Sequence, residues 1–152
     1  MTGDVDRPRV VEFFAGQTDV RFAYLFGSQA RGEAGPLSDV DLAVALGCDP
    51  AGHAARRDDL NACLMQLLGR NDVDLVLADR APPLLRHRIA TGICLFARKP
   101  VEATRFAVAA LRDYEDTCPL RAAFYAAQER RARDGELAIP PRYRRVDANV
   151  QD

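Results

Sequence analysis

The 152-residue sequence has little of what a zinc centre or a disulfide-stapled scaffold requires. It has two histidines, His53 and His87, and its four cysteines, Cys48, Cys63, Cys94 and Cys118, are scattered without a C-x-x-C pair. That excludes a zinc-ligand spacing and points to reduced thiols in a cytosolic protein. No apolar run approaches the roughly 20 residues that span a bilayer, and residues 1–9 are charged. Neither a transmembrane segment, a signal peptide nor a lipidation motif is expected, and the protein is assigned to the cytoplasm. Lys99 is the only lysine, so every other one of the 21 basic residues is an arginine, a bias read as compositional habit rather than as a binding surface. With 22 acidic residues the formal net charge is −1. No global field attracts a polynucleotide, so clamping of long DNA is not expected, nor any direct nucleic-acid partner. Internal repeats and low-complexity segments are also absent.

What is present centres on residues 21–46, RFAYLFGSQARGEAGPLSDVDLAVAL. Two short apolar runs, 22–26 and 42–46, bracket all the unusual chemistry. Gly27-Ser28 follows the first run and Asp39-x-Asp41 opens the second. Side chains on a strand alternate faces, so Asp39 and Asp41 project to one side while Val40 turns into the core. Two carboxylates held that close repel unless a cation lies between them. Mg²⁺ takes oxygen ligands and shares them with substrate phosphates, which suits such a pair beside a phosphate-gripping turn. Gly27 allows close backbone approach or positive φ. Ser28 is expected to cap a short helix through Gln29-Ala30-Arg31 whose free N–H groups face an anion. Metal on one side and amide dipoles on the other would hold a nucleoside triphosphate.

The remaining elements follow from periodicity and punctuation. A helix begins at Asp6 with Pro8 in its first turn and ends near Gly16. Strands are expected at 20–26, from Val40, at 73–77 and at 93–97. After Asp49-Pro50 a helix carries the stripe Leu60, Cys63, Leu64, Leu67 and Leu68, a core face, and stops at Gly69. Pro82-Pro83 starts a short helix bearing Leu84, Leu85 and Ile89 and closed by Gly92; its Arg86-His87-Arg88 reads as a solvated charged face in preference to a phosphate site. Beyond Pro100 two helical runs are expected, 101–116 and 120–133, interrupted by Pro119 and ended by Asp134-Gly135. Residues 138–152, rich in proline, arginine and polar residues, read as an extended tail or an arm wrapping a partner. The chain is long enough for one core, and 48% apolar with 28% charged residues is ordinary for a globular domain. The element order predicts an α/β (α+β) fold, a mixed sheet of about four strands with helices packed on one face plus C-terminal helices.

Gly27-Ser28-Gln29-Ala30-Arg31-Gly32 followed by Ser38-Asp39-Val40-Asp41-Leu42 resembles the signature of the polymerase-β-like nucleotidyltransferases, and more narrowly of their minimal, MNT-type members. The resemblance covers about the first hundred residues. It implies a minimal nucleotidyltransferase domain over 1–100, a helical extension of the same domain over 101–134 and a tail over 135–152. It also implies a third carboxylate on a later strand: Asp74, in Asn71-Asp72-Val73-Asp74-Leu75-Val76-Leu77, with Asp72 on the same face by parity as the runner-up. An isolated Gly-Ser is usually a turn and an isolated D-x-D a solvated strand end. Found together with D-V-D-L-V, they are poorly explained by chance. The implied roles are Asp39, Asp41 and Asp74 as catalytic, metal-binding acids for two Mg²⁺ ions, and Gly27, Ser28 and Arg31 as the nucleotide-binding turn for ATP. For Arg31 three roles stay open: contact with triphosphate, contact with a partner, and bracing of the turn against Asp39. Ser38 is expected to stiffen the loop before the acids. The MNT likeness further implies an antitoxin that transfers AMP from ATP to a tyrosine of a HEPN-type ribonuclease toxin encoded beside it, in a hetero-oligomer. Alternatives are a small-molecule, aminoglycoside-like nucleotidyltransferase and an antitoxin that neutralises by binding alone.

Overall fold

The computed structural model describes residues 4–35 and 37–134. In chain order they form α1 (Arg7–Ala15), β1 (Val20–Phe26), α2 (Ser28–Arg31), β2 (Val40–Leu46), α3 (His53–Leu68), β3 (Val73–Leu77), α4 (Pro83–Ala90), β4 (Ile93–Ala97) and α5 (Pro100–Arg133), with short 3-10 turns at Pro50–Gly52 and Ala78–Arg80. Asp6 caps α1 by accepting from the Arg9 backbone N–H at 3.3 Å, and Pro8 sits in the first turn, where its missing N–H costs nothing. Asp49 and Pro50 end β2 and lead through a 3-10 turn into α3, which Gly69 terminates.

The four strands lie in the order β3-β2-β1-β4. β1 pairs antiparallel with both β2 and β4, while β2 and β3 run parallel, with α3 in the crossover that a parallel pair requires. Alternation along the strands sorts their side chains into two cores. On one face Leu25, Val40, Leu42, Val44 and Leu75 pack with Phe14 of α1 and with Leu60 and Leu64 of α3. On the other Phe22, Tyr24, Ala43 and Ala45 pack with Ile89 of α4 and Phe106 of α5. The helical layer expected on one face is formed by α1 and α3. A second layer, α4 and the start of α5, covers the opposite face, and on that face β2 carries only alanines beyond Asp41, which leaves room for the helices.

Two further expectations, both about helices, need correction. Of the α3 stripe, Leu60 and Leu64 are buried and Leu67 and Leu68 pack partly against the core, but Cys63 is exposed. Pro119 does not interrupt the last helix, because α5 runs unbroken from Pro100 to Arg133 with the proline inside it. Proline removes one i→i−4 bond and crowds one carbonyl, a local loss that a helix of 34 residues absorbs when its neighbouring turns remain bonded. Arg121 Nη1 donates to Thr117 Oγ1 across the proline. The described residues fall into two compact units that divide between Glu115 and Asp116. Pro36, Gly135 and the expected tail lie outside the described residues. Among the described residues no helix is long and apolar enough to cross a membrane.

The two neighbours in α3 make a direct test of the inner face. Leu64→Ala is expected to cost about 2–5 kcal/mol in urea denaturation, and Cys63→Ser to stay within about 0.5 kcal/mol of wild type. Equal losses at both positions would contradict the burial pattern.

Candidate functional site

The site lies where β1, β2 and β3 meet α2 and α4. A cleft of about 670 Å³ is lined by Gly27, Ser28, Arg31, Asp41, Asp74 and, from α4, Arg88. Asp41 is the second residue of β2, and in the parallel register it stands beside Asp74 of β3, with Phe26 of β1 on its other side. Neighbouring strands lie about 4.8 Å apart, so the two carboxylates share one small surface. Asp41 is half-buried; Asp39 and Asp74 are exposed. Burial first, then the charges of Asp74 and Asp39, push the Asp41 carboxyl above its ordinary range, while the charges of Arg88 and Arg31 pull it back. Asp39 precedes β2 and is not among the residues lining the cleft, but its charge bears on Asp41. Asp72, the alternative to Asp74, is engaged elsewhere. Arg70 grips its carboxylate at 2.5 and 2.6 Å, which holds it below the usual range.

The turn differs in one respect from expectation. The residue that caps α2 is Gly27, and Ser28 is the first residue of the helix, with no side-chain cap. Gly27 has φ 72° and ψ −154°, a region open essentially to glycine alone. A Cβ there would collide with the Asp41 Oδ2 and lie 3.2 Å from its Cγ. The turn and the acid thus approach as closely as a missing side chain permits. Gly92, which follows α4, allows a similar approach: a Cβ would strike the Leu25 carbonyl and sit 3.1 Å from the Phe26 Cα.

Arg31 lies in the cleft wall, and its Nε donates to Glu33 at 2.9 Å. Its ion pair is therefore with Glu33 and not with Asp39. Ser38 Oγ accepts from the Gly35 N–H at 2.8 Å and the Ser38 N–H returns to the Gly35 carbonyl at 3.1 Å, closing the loop before the acids. Three supporting residues were not singled out by sequence reasoning. Gln29, buried at 1% exposure, accepts the Val5 N–H at 3.3 Å and fastens α2 to the N-terminal segment. Arg70 donates to the Ser38 carbonyl at 2.8 Å, and the Val40 N–H donates to the Asp72 carbonyl at 2.8 Å, so the approaches to β2 and β3 are tied on both sides of Asp39. Arg88 comes from the run read as a solvated face. For Gln29 the only signal was its place on the inward side of a very short helix, and for Arg70 there was none.

Among the described residues no group of three or more His, Cys, Asp and Glu could hold a metal ion between them. None of the three acids joins an ion pair among the described residues. Two crowded carboxylates beside the Gly27 turn nonetheless suit Mg²⁺, which is bound through one or two carboxylates with phosphate and water completing its shell.

The sequence matches the family described as Polymerase beta, Nucleotidyltransferase over residues 9–101. The chain belongs to this nucleotidyltransferase family. A search of curated proteins found no match. Among solved structures, a toxin–antitoxin with AMP-PNP is 24% identical to this nucleotidyltransferase at a TM-score of 0.66, over 81% of this chain and 98% of the other. The toxin–antitoxin MntA-HepT is 23% identical at 0.60, over 80% and 94%. A tri-AMPylated Shewanella oneidensis HEPN toxin in complex with MNT antitoxin is 24% identical at 0.60, over 80% and 93%. These likenesses establish the fold, the polymerase-β-like sheet followed by a long C-terminal helix.

Burial of Asp41, together with the charges crowding it, has a measurable sign. Its pKa rises on folding from a reference of 3.8, so the folded state holds the proton more tightly and loses relative stability as pH rises through the folded pKa. Asp41→Asn in metal-free protein is expected to raise the melting temperature at about pH 7 and to leave it unchanged at about pH 3, where wild type is protonated too. A lower melting temperature at neutral pH would contradict a charge made unfavourable there by burial and crowding. Gly27→Ala is expected to lower stability by about 1–3 kcal/mol, read by thermal unfolding, because both backbone and carboxylate must shift.

Proposed function

We propose that this nucleotidyltransferase moves AMP from ATP to a tyrosine hydroxyl of a HEPN-type toxin encoded beside it, silencing the toxin in a hetero-oligomer. The observation that carries the catalytic part is the juxtaposition of Asp41 and Asp74 in register across β2 and β3, facing the Gly27 turn in one cleft. The acceptor is supported by the MNT signature and by the toxin–antitoxin complexes among the structures of similar fold, one of them with an AMPylated toxin. Residues 1–100 serve as the catalytic domain in this reading and 101–134 as its helical extension.

Asp39, Asp41 and Asp74 would hold two Mg²⁺ ions. When bound, Mg²⁺ neutralises the triphosphate and makes the attacking hydroxyl more acidic. The Gly27 turn and Ser28 orient the triphosphate, and Asp74 accepts the proton of the tyrosine hydroxyl. The tyrosine oxygen forms a bond to the α-phosphorus as the bond from that phosphorus to the bridging β-phosphate oxygen breaks in line. Pyrophosphate leaves, and the proton remains on Asp74 until solvent removes it. Positioning and charge neutralisation supply most of the acceleration in such transfers, so few further groups are required.

Intact mass of the neighbouring gene product after incubation with ATP, Mg²⁺ and this protein tests the proposal. One or more added AMP units with wild type, and none with Asp39→Ala/Asp41→Ala, is the expected result. An unmodified partner that nevertheless binds wild type and variant equally tightly would replace transfer by neutralisation through binding.

A further inference from the structure

The run Arg86-His87-Arg88 is not the uniform solvated face its composition implies, because the structure gives each residue a different task. Arg86 Nη1 donates to Asp113 Oδ2 at 2.9 Å, and its guanidinium lies 5.4 Å from the centre of the Phe106 ring. His87 stacks on Tyr114 with ring centres 3.7 Å apart and planes 18° from parallel. All three partners belong to the first half of α5. Ile89 is fully buried on the same side of the sheet. These contacts pin α4 and fix its rotation about its own axis. Leu85, Arg88 and Thr91, spaced by three, are then directed into the cleft that holds Asp41 and Asp74.

Arg88 differs from the other cation of that cleft. Arg31 is paired with Glu33, whereas Arg88 has no carboxylate partner among the described residues. An arginine with that freedom, on a pinned helix facing acids that await a cation-bearing ligand, suits a polyanion. Its planar fork matches phosphate oxygens in a bidentate manner. We infer that Arg88 is a nucleotide-binding residue that holds the polyphosphate of ATP from α4, complementing the Gly27 turn, and so makes the cleft select a nucleoside triphosphate over a monophosphate. The inference rests on the reading of this cleft as the ATP site.

The test uses full-length wild type, Arg88→Ala, Arg88→Gln and Arg88→Lys, with ATP and AMP binding measured by calorimetry in Mg²⁺. Arg88 is exposed, so the variants are expected to keep the wild-type melting temperature, and the glutamine variant preserves side-chain bulk if alanine disturbs α4. Loss of a charge-assisted contact should weaken ATP about tenfold to a hundredfold while AMP changes less than about twofold, with lysine intermediate. ATP affinity within about twofold of wild type in the alanine and glutamine variants would remove Arg88 from the site, and continued AMP transfer by wild type would show the proposed function intact. Equal weakening of ATP and AMP would mean that α4 shapes the cleft rather than gripping polyphosphate, which also overturns the inference. A wild type that binds no ATP at all would instead sink the proposed function and this inference together.

Discussion

Asp41 and Asp74 stand side by side on neighbouring parallel strands, and the rest of the architecture serves to hold that unfavourable pair in place. Burial, and after it the repulsion of like charges on one small surface, raises the Asp41 carboxyl above its ordinary range. A flexible loop would relieve it by swinging one acid into water. Strand pairing forbids that, because the register fixing the two side chains also buries Val40, Leu42, Val44, Val73 and Leu75 on the opposite face. Slipping by one residue would turn the acids into the core and the apolar set into solvent. The apolar face therefore contributes the free energy that holds the two acids together on the opposite face.

Close backbone approach completes the arrangement. Gly27 and Gly92 both sit where a Cβ would collide, the first with the Asp41 carboxylate and the second with the end of β1. They let α2 and α4 close on the strand ends from two directions. Gln29 then anchors α2, and Arg70 anchors the loop before Asp39. Such supports hold first-contact residues within the narrow tolerance that transfer chemistry demands.

The arginine excess acquires a physical meaning in the folded chain. Arg56 binds Asp19 at 2.7 and 2.9 Å and Gln17 at 2.8 Å, and Arg98 donates to the Gln17 carbonyl at 2.8 Å. Arg70 spans Asp72 and Ser38, and Arg86 joins α4 to α5. Arg56, Arg70 and Arg98 each use several donors of one planar fork to tie segments distant in sequence, which a lysine ammonium does less well. These groups are fastenings, and of the described arginines Arg31 and Arg88 line the cleft with the acids.

Local rules determined much of this protein from sequence alone. Two-residue alternation, helical stripes, Asp6 as a start and Gly69 as a stop, and the spacing of Gly27-Ser28 from Asp39-x-Asp41 depend on neighbours close in sequence, so all four strands were legible, as were Gly27, Ser28, Arg31, Asp41 and Asp74 of the cleft lining. The tertiary structure decided what depends on distant partners. Parity put Asp72 and Asp74 on one face, and only the strand register set Asp74 beside Asp41, while Arg70 holds Asp72. Pro119 read as a break because a rule about one bond knows nothing of a 34-residue helix around it. Arg86, His87 and Arg88 looked alike in sequence, and only the packing of α4 against α5 turned two of them inward as fastenings and left the third facing the acids.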